Sequence, residues 1–413
     1  MPKTFIAAVA AAVALAIGSS AISLPVKAAE EKQSVSKASA KVLKAANDAV
    51  QAKKWPEALA KLQEAQGIAG KTPYDAYVTN QLLAFVYARQ NNYPEAAKAM
   101  EAQIESGFVP AADQPPLLKG LASVYYQQKN YAKAADYGQR LIRAGAGDGD
   151  TYTLVAQSFY LDKKYSETVK FLKDYIADVE KRGQTPKEQS LQLMSESYTK
   201  LNDTAGATAM LEKLVSYYPK GNYWDNLLYG LMRAEGNGDK LTLNIYRLML
   251  ETNTLKQPQD FTEMAQLAME QGTPGEAQRV LEKGFAANVF SEQRVKDSNT
   301  RLLESAKKLA ATDQASLAKF ETEARNAKTG EGDVRLGQAY LSFDQYDKAA
   351  EAIQRGIGKG GLKNAEEAQI LLGIAQIKQK KSDEAMKTFK GVKAGDPKYV
   401  RLANLWALHA KAG

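Results

Sequence analysis

The stretch LAFVYARQNNYPEAAKAM, Leu83 to Met100, decides the fold because its outline returns twice more along the chain. LASVYYQQKNYAKAADYG begins at Leu121 and LGQAYLSFDQYDKAAEAI at Leu336. Each opens on leucine and a small residue, places tyrosine three positions after the small residue, a second tyrosine six later, and alanine three beyond that. The second aromatic position runs through Trp55, Tyr93, Tyr131, Tyr165 and Tyr346, with weaker equivalents at Thr204, Pro274 and Ser382. The first four are spaced by 38, 38 and 34 residues, as for one helix pair per period with small loop insertions. Alanine follows at Ala58, Ala96, Ala134, Ala207, Ala277, Ala349 and Ala385. The small residue of the first helix recurs as Ala84, Ala122, Ala156, Ala265, Gly337 and Gly373. A helix-interior glycine costs about 1 kcal/mol relative to alanine. Gly373, inside LLGIAQ, therefore predicts a point where two helices approach too closely for a side chain.

This pattern resembles the tetratricopeptide repeat, W-x2-L-G-x2-Y…A-x3-F…P over about 34 residues. The resemblance implies an all-α fold, a right-handed superhelical array of helix-turn-helix repeats, that is, an α-solenoid. No alternating strand pattern competes with the helical periodicity. Pro219 and Pro397 stand at the repeat's terminal proline position, and GAGDGD, GNGD and KGGLKN read as connections between helices. The expected organisation is an N-terminal array over residues 29–285, divergent linking helices over 286–328, and a C-terminal repeat block over 329–413. In the linking region the charged run from Ser291 to Ala327 has lost the repeat pattern and reads as a helix pair. KTGEGD, Lys328 to Asp333, marks the boundary, and YVRLANLWALHAK reads as a terminal helix covering the open end of the stack.

The chain starts MPKTFIAAVAAAVALAIGSSAISLPVKAAEEK, with basic Lys3, an apolar run from Phe5 to Ile17 and a small-residue site at Val26-Lys27-Ala28. That is the pattern of a secretory signal peptide over residues 1–28, and it predicts an exported, periplasmic protein. The apolar run falls short of the roughly 20 residues that a spanning helix needs. Cysteine is absent, so the fold depends on its core without disulfides. Net charge is +8, or 8 − 2 = +6 once Lys3 and Lys27 are removed, and it is spread along the chain. No basic block of the kind that grips nucleic acid is present.

The residues point to binding and away from catalysis. The single histidine, His409, has no nucleophile or orienting carboxylate in an accompanying motif. None of the hydrolase, zinc-protease or phosphate-loop signatures occurs, and no metal or cofactor motif is complete. DGD, Asp148 to Asp150, lacks the later ligands of a calcium loop, and Asp150 reads as the cap of a helix starting near Thr151. A repeat array offers instead a concave face lined by its first helices. In this register the first helices of the second to fourth repeats direct Gln81, Phe85, Arg89, Lys119, Ser123, Tyr126, Gln127, Gln157 and Tyr160 inward. Aromatic, amide and basic groups together suit an extended peptide. The alternative for Phe85 and Tyr126 is packing between repeats. A clamp for a partner's terminal carboxylate, used by some tetratricopeptide domains, is not matched: only Asn47 fits, while Leu43, Leu82, Pro116 and Gly120 replace other positions.

From about Tyr217 onward the chain also resembles the exported tetratricopeptide proteins that accompany TonB systems in Gram-negative bacteria. The likeness is carried by KGGLKNAEEAQILLGIAQIKQKKSDEAMKTF from Lys359, with YWDNLLYGLMRAEGNGDKLTLNIYRLMLETNTL and EMAQLAMEQGTPGEAQRVLEKGF upstream. GGLKN followed by LLGIA is its most distinctive part, and Gln376 and Ser382 depart from it by lacking an aromatic. The resemblance implies a periplasmic accessory beside TonB, ExbB and ExbD, holding a segment of TonB or ExbD. The rival expectation is a periplasmic scaffold for envelope biogenesis.

Overall fold

In the computed structural model, residues 33–412 are described. The leader pattern and the cleavage site at Ala28 lie outside the described residues. Twenty α-helices and one short 3-10 turn make up the regular structure, with no strand among the described residues. They begin α1 Lys37–Gln51, α2 Trp55–Gly67, α3 Pro73–Arg89, α4 Tyr93–Glu105, α5 Gln114–Gln127, α6 Tyr131–Arg143, α7 Gly149–Leu161, α8 Tyr165–Lys181, α9 Glu188–Lys200 and α10 Thr204–Tyr217. They continue α11 Gly221–Met232, α12 Asp239–Glu251, α13 Pro258–Glu270, α14 Pro274–Ala286, α15 Gln293–Asn326, α16 Glu331–Ser342, α17 Tyr346–Lys359, α18 Ala365–Lys378, α19 Ser382–Lys390 and α20 Pro397–Ala412. The molecule is an all-α solenoid of tetratricopeptide helix pairs.

The repeat register is written into one turn. Trp55, Tyr93, Tyr131, Tyr165, Thr204, Pro274, Tyr346 and Ser382 are each the first residue of a second helix. Two positions earlier stand Lys53, Asn91, Lys129, Lys163, Asn202, Gly272, Asp344 and Lys380, all left-handed with φ between 58° and 73°. The following N–H then returns to the carbonyl five residues back, as in Lys54 to Ala49, Asn92 to Tyr87 and Gln345 to Tyr340, at 2.8–2.9 Å. This closes the first helix by satisfying carbonyls that would otherwise lack partners. Only one of the eight is glycine. The left-handed conformation costs a non-glycine residue about 1–3 kcal/mol, which the repeated hydrogen bond offsets.

Packing between the paired helices explains the small positions. Ala84, Ala122, Ala156 and Ala265 are buried against the second helices. At Gly373 a Cβ would stand 2.4 Å from the ring of Phe389, and at Gly337 it would stand 2.2 Å from Ile353 Cγ1. The missing side chain is therefore the space that Phe389, itself fully buried, occupies.

The chain divides at Ala207 and Thr208 into two compact units. In the first, second helices pack on the first helix of the next repeat, α2 on α3, α4 on α5 and α6 on α7. Its N-terminal end is tied down by Asp75, a fully buried carboxylate in the first turn of α3. Asp75 accepts hydrogen bonds from the Ser36 N–H (2.8 Å) and hydroxyl (2.6 Å), the Ser39 hydroxyl (3.0 Å) and the Thr72 N–H (2.9 Å). These donors hold its carboxyl below the usual range against the opposing effect of burial.

In the second unit the linking and terminal helices differ from the sequence reading. The boundaries expected at residues 285/286 and 328/329 both fall inside it. The linking region is not a helix pair: α15 is one helix of 34 residues, about 51 Å long at 1.5 Å per residue. The terminal helix does more than cover an open end. α20 packs on α18 and α19 and also on α12, so the unit closes on itself. Trp406 lies fully buried in this seam, stacked on Phe389 at 5.8 Å, while His409 meets the edge of Trp224 at 6.3 Å. Lys398 Nζ reaches the Glu235 carbonyl at 2.6 Å across the same seam.

The GGLKN motif has a structural task in this unit. The Gly360 carbonyl accepts from the Gly330 N–H at 2.8 Å, and Glu331 accepts from the Lys363 N–H at 3.2 Å. Asn364 caps α18 through the Glu367 N–H at 2.8 Å. Beneath this link, fully buried Asp333 pairs with Arg355 at 2.7 Å and Lys359 at 2.8 Å. The motif thus fastens the connection before α18 to the start of α16.

Candidate interaction surfaces

In the first unit the nine expected groove residues lie on α3, α5 and α7 and separate into small clusters. Phe85 meets the edge of Trp55 at 6.0 Å, and the Arg89 guanidinium lies over the Phe85 ring at 4.9 Å. The Tyr126 hydroxyl donates to Gln157 Oε1 at 3.2 Å, which joins α5 to α7. Tyr126 and Tyr160 also pack edge-on against Tyr131 and Tyr165, the aromatic residues opening α6 and α8, at 5.7 and 5.4 Å. These two tyrosines therefore brace the turn of their own repeat, and burial raises the pKa of both. The Ser123 hydroxyl is spent on the Lys119 carbonyl of its own helix at 2.9 Å. Gln81 and Gln127 make no side-chain hydrogen bond among the described residues.

Lys119, one of the expected groove residues, is engaged within the protein. Its ammonium pairs with Asp148 at 2.9 Å, 29 residues away. Asp148, rather than Asp150, caps α7, accepting from the Thr151 N–H at 2.8 Å and hydroxyl at 2.7 Å. Burial opposes ionisation of Asp148, but Lys119 and Thr151 together hold its carboxyl well below the ordinary value. Asp150 turns instead to Lys187 at 2.6 Å. Asn47, the one residue matching the carboxylate clamp, sits half-buried on α1 with its Oδ1 unbonded. What remains available on this face is Arg89 stacked on the half-buried Phe85–Trp55 pair, and the amides of Gln81 and Gln127. That combination can grip peptide backbone and an apolar or acidic side chain.

The second unit holds cavities that no local sequence pattern announced. One of about 640 Å³ is walled by the C-terminal half of α15, the first turns of α16 and the turn before α14, with the Lys240–Glu367 ion pair in its lining. Asp313 projects there, its pKa raised by burial. A second cavity, of about 250 Å³, lies between α12, α14, α18, α20 and the turn before α17. The Arg247–Glu276 pair borders it, bidentate at 2.7 and 2.6 Å and nearly inaccessible to solvent. Burial disfavours both charges, yet their mutual attraction raises the pKa of Arg247 and lowers that of Glu276. The two cavities use opposite ends of α12: Lys240 and Glu251 are eleven residues apart, about 16 Å along the axis.

Family models described as tetratricopeptide repeat match residues 82–149 and 334–400, and a further one matches 189–221. No match was found among curated proteins. Similar solved structures include YrrB, described as a TPR protein with an unusual peptide-binding site, at 17% identity over 45% of this chain and 89% of that one, with a TM-score of 0.30. A tetratricopeptide repeat protein from Parabacteroides merdae ATCC 43184 is 10% identical over 80% of this chain and 98% of its own, with a TM-score of 0.29. Pseudomonas aeruginosa pilF is 15% identical over 47% and 98%, with a TM-score of 0.25. The chain thus carries tetratricopeptide repeats in both of its units, and repeats of this kind make it a protein-interaction scaffold. Among the described residues no helix is long and apolar enough to cross a membrane.

Proposed function

We propose that this protein is a periplasmic scaffold that holds a protein segment and serves as an accessory to a TonB–ExbB–ExbD system for outer-membrane nutrient uptake. The observation that carries binding is the exposed Arg89 guanidinium stacked on the half-buried Phe85–Trp55 pair, on repeats whose other polar groups are mostly spent on internal contacts. The export pattern of residues 1–28 supports the compartment. The likeness of residues from 217 onward to TonB-associated repeat proteins supports the system, with TonB or ExbD periplasmic segments as the partners. No reaction is assigned to it. In-cell crosslinking of the tagged full chain, followed by identification of captured proteins, tests the reading. TonB or ExbD should be recovered from the periplasm. Recovery of outer-membrane, peptidoglycan or polysaccharide assembly proteins in their place would replace it with a role in envelope biogenesis.

A further inference from the structure

The cavity of about 640 Å³ in the second unit carries an inference independent of the partner proteins. One stripe of α15 faces it, since Asp313, Leu317, Phe320 and Glu323 follow at steps of three or four residues. The charges on its wall are unevenly matched, with five carboxylates against three cations. Two of those cations are engaged, Lys240 with Glu367 at 3.0 Å and Lys319 with Glu323 at 3.9 Å. Asp313 is half-buried and makes no ion pair or side-chain hydrogen bond among the described residues. Burial raises its pKa, and no neighbouring cation opposes the rise. Glu367, with its side chain only 5% exposed, gives Oε2 to Lys240 and leaves Oε1 unbonded. Neither that oxygen nor those of Asp313 are sealed from solvent, so a ligand's donor can reach them. An unmatched, partly desolvated carboxylate costs stability, and such a cost is commonly retained at a binding site.

We propose that this cavity binds a small organic amine with an apolar body. The excess of carboxylates asks for a cation, and an ammonium group supplies Asp313 with the charged donor it lacks. The body is apolar because Leu317, Phe320, Val334 and Leu362 form much of the remaining surface. The ligand is a small molecule because the volume lies within the about 300–1,000 Å³ of such sites. A bare metal ion fits less well: it asks for several oxygens around one point, and no group of three acids or histidines is so placed among the described residues. An anion would face the carboxylate excess. The walls come from α15, which has left the repeat pattern, and from α16 and the turn before α14 on either side of it in the chain. Occupancy therefore ties the long helix to the repeats that flank it and raises the unit's thermal stability by mass action.

The test uses the full mature chain, which has no cysteine of its own, carrying Gln314→Cys with a trifluoromethyl label read by fluorine NMR. Position 314 is exposed beside Asp313 but off the lining stripe, and the same label on Lys170→Cys in α8 of the first unit is the control. Benzylamine and isopentylamine are the probes, against benzyl alcohol, isopentanol, benzoate and calcium. The expected result is a saturable shift at position 314 with both amines, none at position 170, and a higher unfolding temperature. Asp313→Asn should weaken both amines about tenfold, the loss of one charge-assisted hydrogen bond. In the ligand-free chain the same change should leave the unfolding temperature unchanged or raise it, because a partly desolvated charge has gone. The proposal is overturned if neither amine gives a saturable shift up to about 20 mM, well above the Kd of a millimolar site. It is also overturned if the alcohols, benzoate or calcium act as the amines do, if Asp313→Asn binds undiminished, or if that change lowers the ligand-free unfolding temperature.

Discussion

Replacing Gly373 by alanine should destabilise the second unit, although the same change in an open helix stabilises. The added Cβ would stand 2.4 Å from Phe389 Cε1 and Cζ, whereas ordinary contact begins near 3.4 Å, so the ring must retreat by 3.4 − 2.4 = 1.0 Å. It has nowhere to go: Phe389 is fully buried and stacked on Trp406 at 5.8 Å with an interplanar angle of 16°. Overpacking of this kind costs about 1–3 kcal/mol. Against it stands the helix-propensity gain of about 1 kcal/mol on leaving glycine. The expected net loss is therefore about 1 kcal/mol, between zero and 2. Gly230 in α11 is the control, because a Cβ there meets nothing within 4 Å. Gly230→Ala should gain up to about 1 kcal/mol, so the two alanines should differ in sign. Urea unfolding of a Trp55→Phe chain, followed by the fluorescence of Trp224 and Trp406, reads the second unit alone. Phe389→Leu should make Gly373→Ala tolerated by removing the ring it strikes. If Gly373→Ala stabilises as much as Gly230→Ala, the close-approach account of the small repeat position is wrong.

Further expectations follow from the ion pairs and the seam. Glu276→Gln leaves Arg247 buried and uncompensated, and should cost about 3–5 kcal/mol by denaturant titration, while the double change Arg247→Met with Glu276→Leu should recover most of it. His409 is held below its ordinary pKa by burial, with Glu251 opposing and Lys378 adding to the effect. The unfolded chain therefore takes the proton more readily, so stability is full above about pH 6.5 and falls as pH drops through that value. His409→Gln should flatten this dependence in thermal melts between pH 5 and 8, on the scale of an ordinary histidine titration; an unchanged profile would place the titrating group elsewhere. In the first unit, Arg89→Glu with Gln127→Glu should weaken partner capture about tenfold, equivalent to about 1.4 kcal/mol, without changing the melting temperature. Lys119→Glu is the wrong probe for that face, since it would set two carboxylates together at the cap of α7.

The helix pairs and their register were legible in the sequence because what defines them is local. Tyr93, Tyr131 and Tyr346 open helices for the same reason that Thr204, Pro274 and Ser382 do: a left-handed residue two positions earlier closes the preceding helix within six residues of chain. Gly337 and Gly373 were legible for a related reason, since each meets the second helix of its own pair, 16 residues on at Ile353 and Phe389 respectively. Lys119 was not legible. Its partner Asp148 is 29 residues away, and nothing in either neighbourhood says which two helix faces will meet. The same holds for Arg247 with Glu276, and still more for Lys398 with Glu235, 163 residues apart. The sequence by itself determined where each helix begins and which residue must be small, because short-range hydrogen bonds and nearest-neighbour packing repeat with the period of the chain. Only the tertiary structure decided which polar groups are spent and that α20 returns to α12. Those outcomes depend on the summed rotations of many helix pairs, and no single period of the sequence contains that sum.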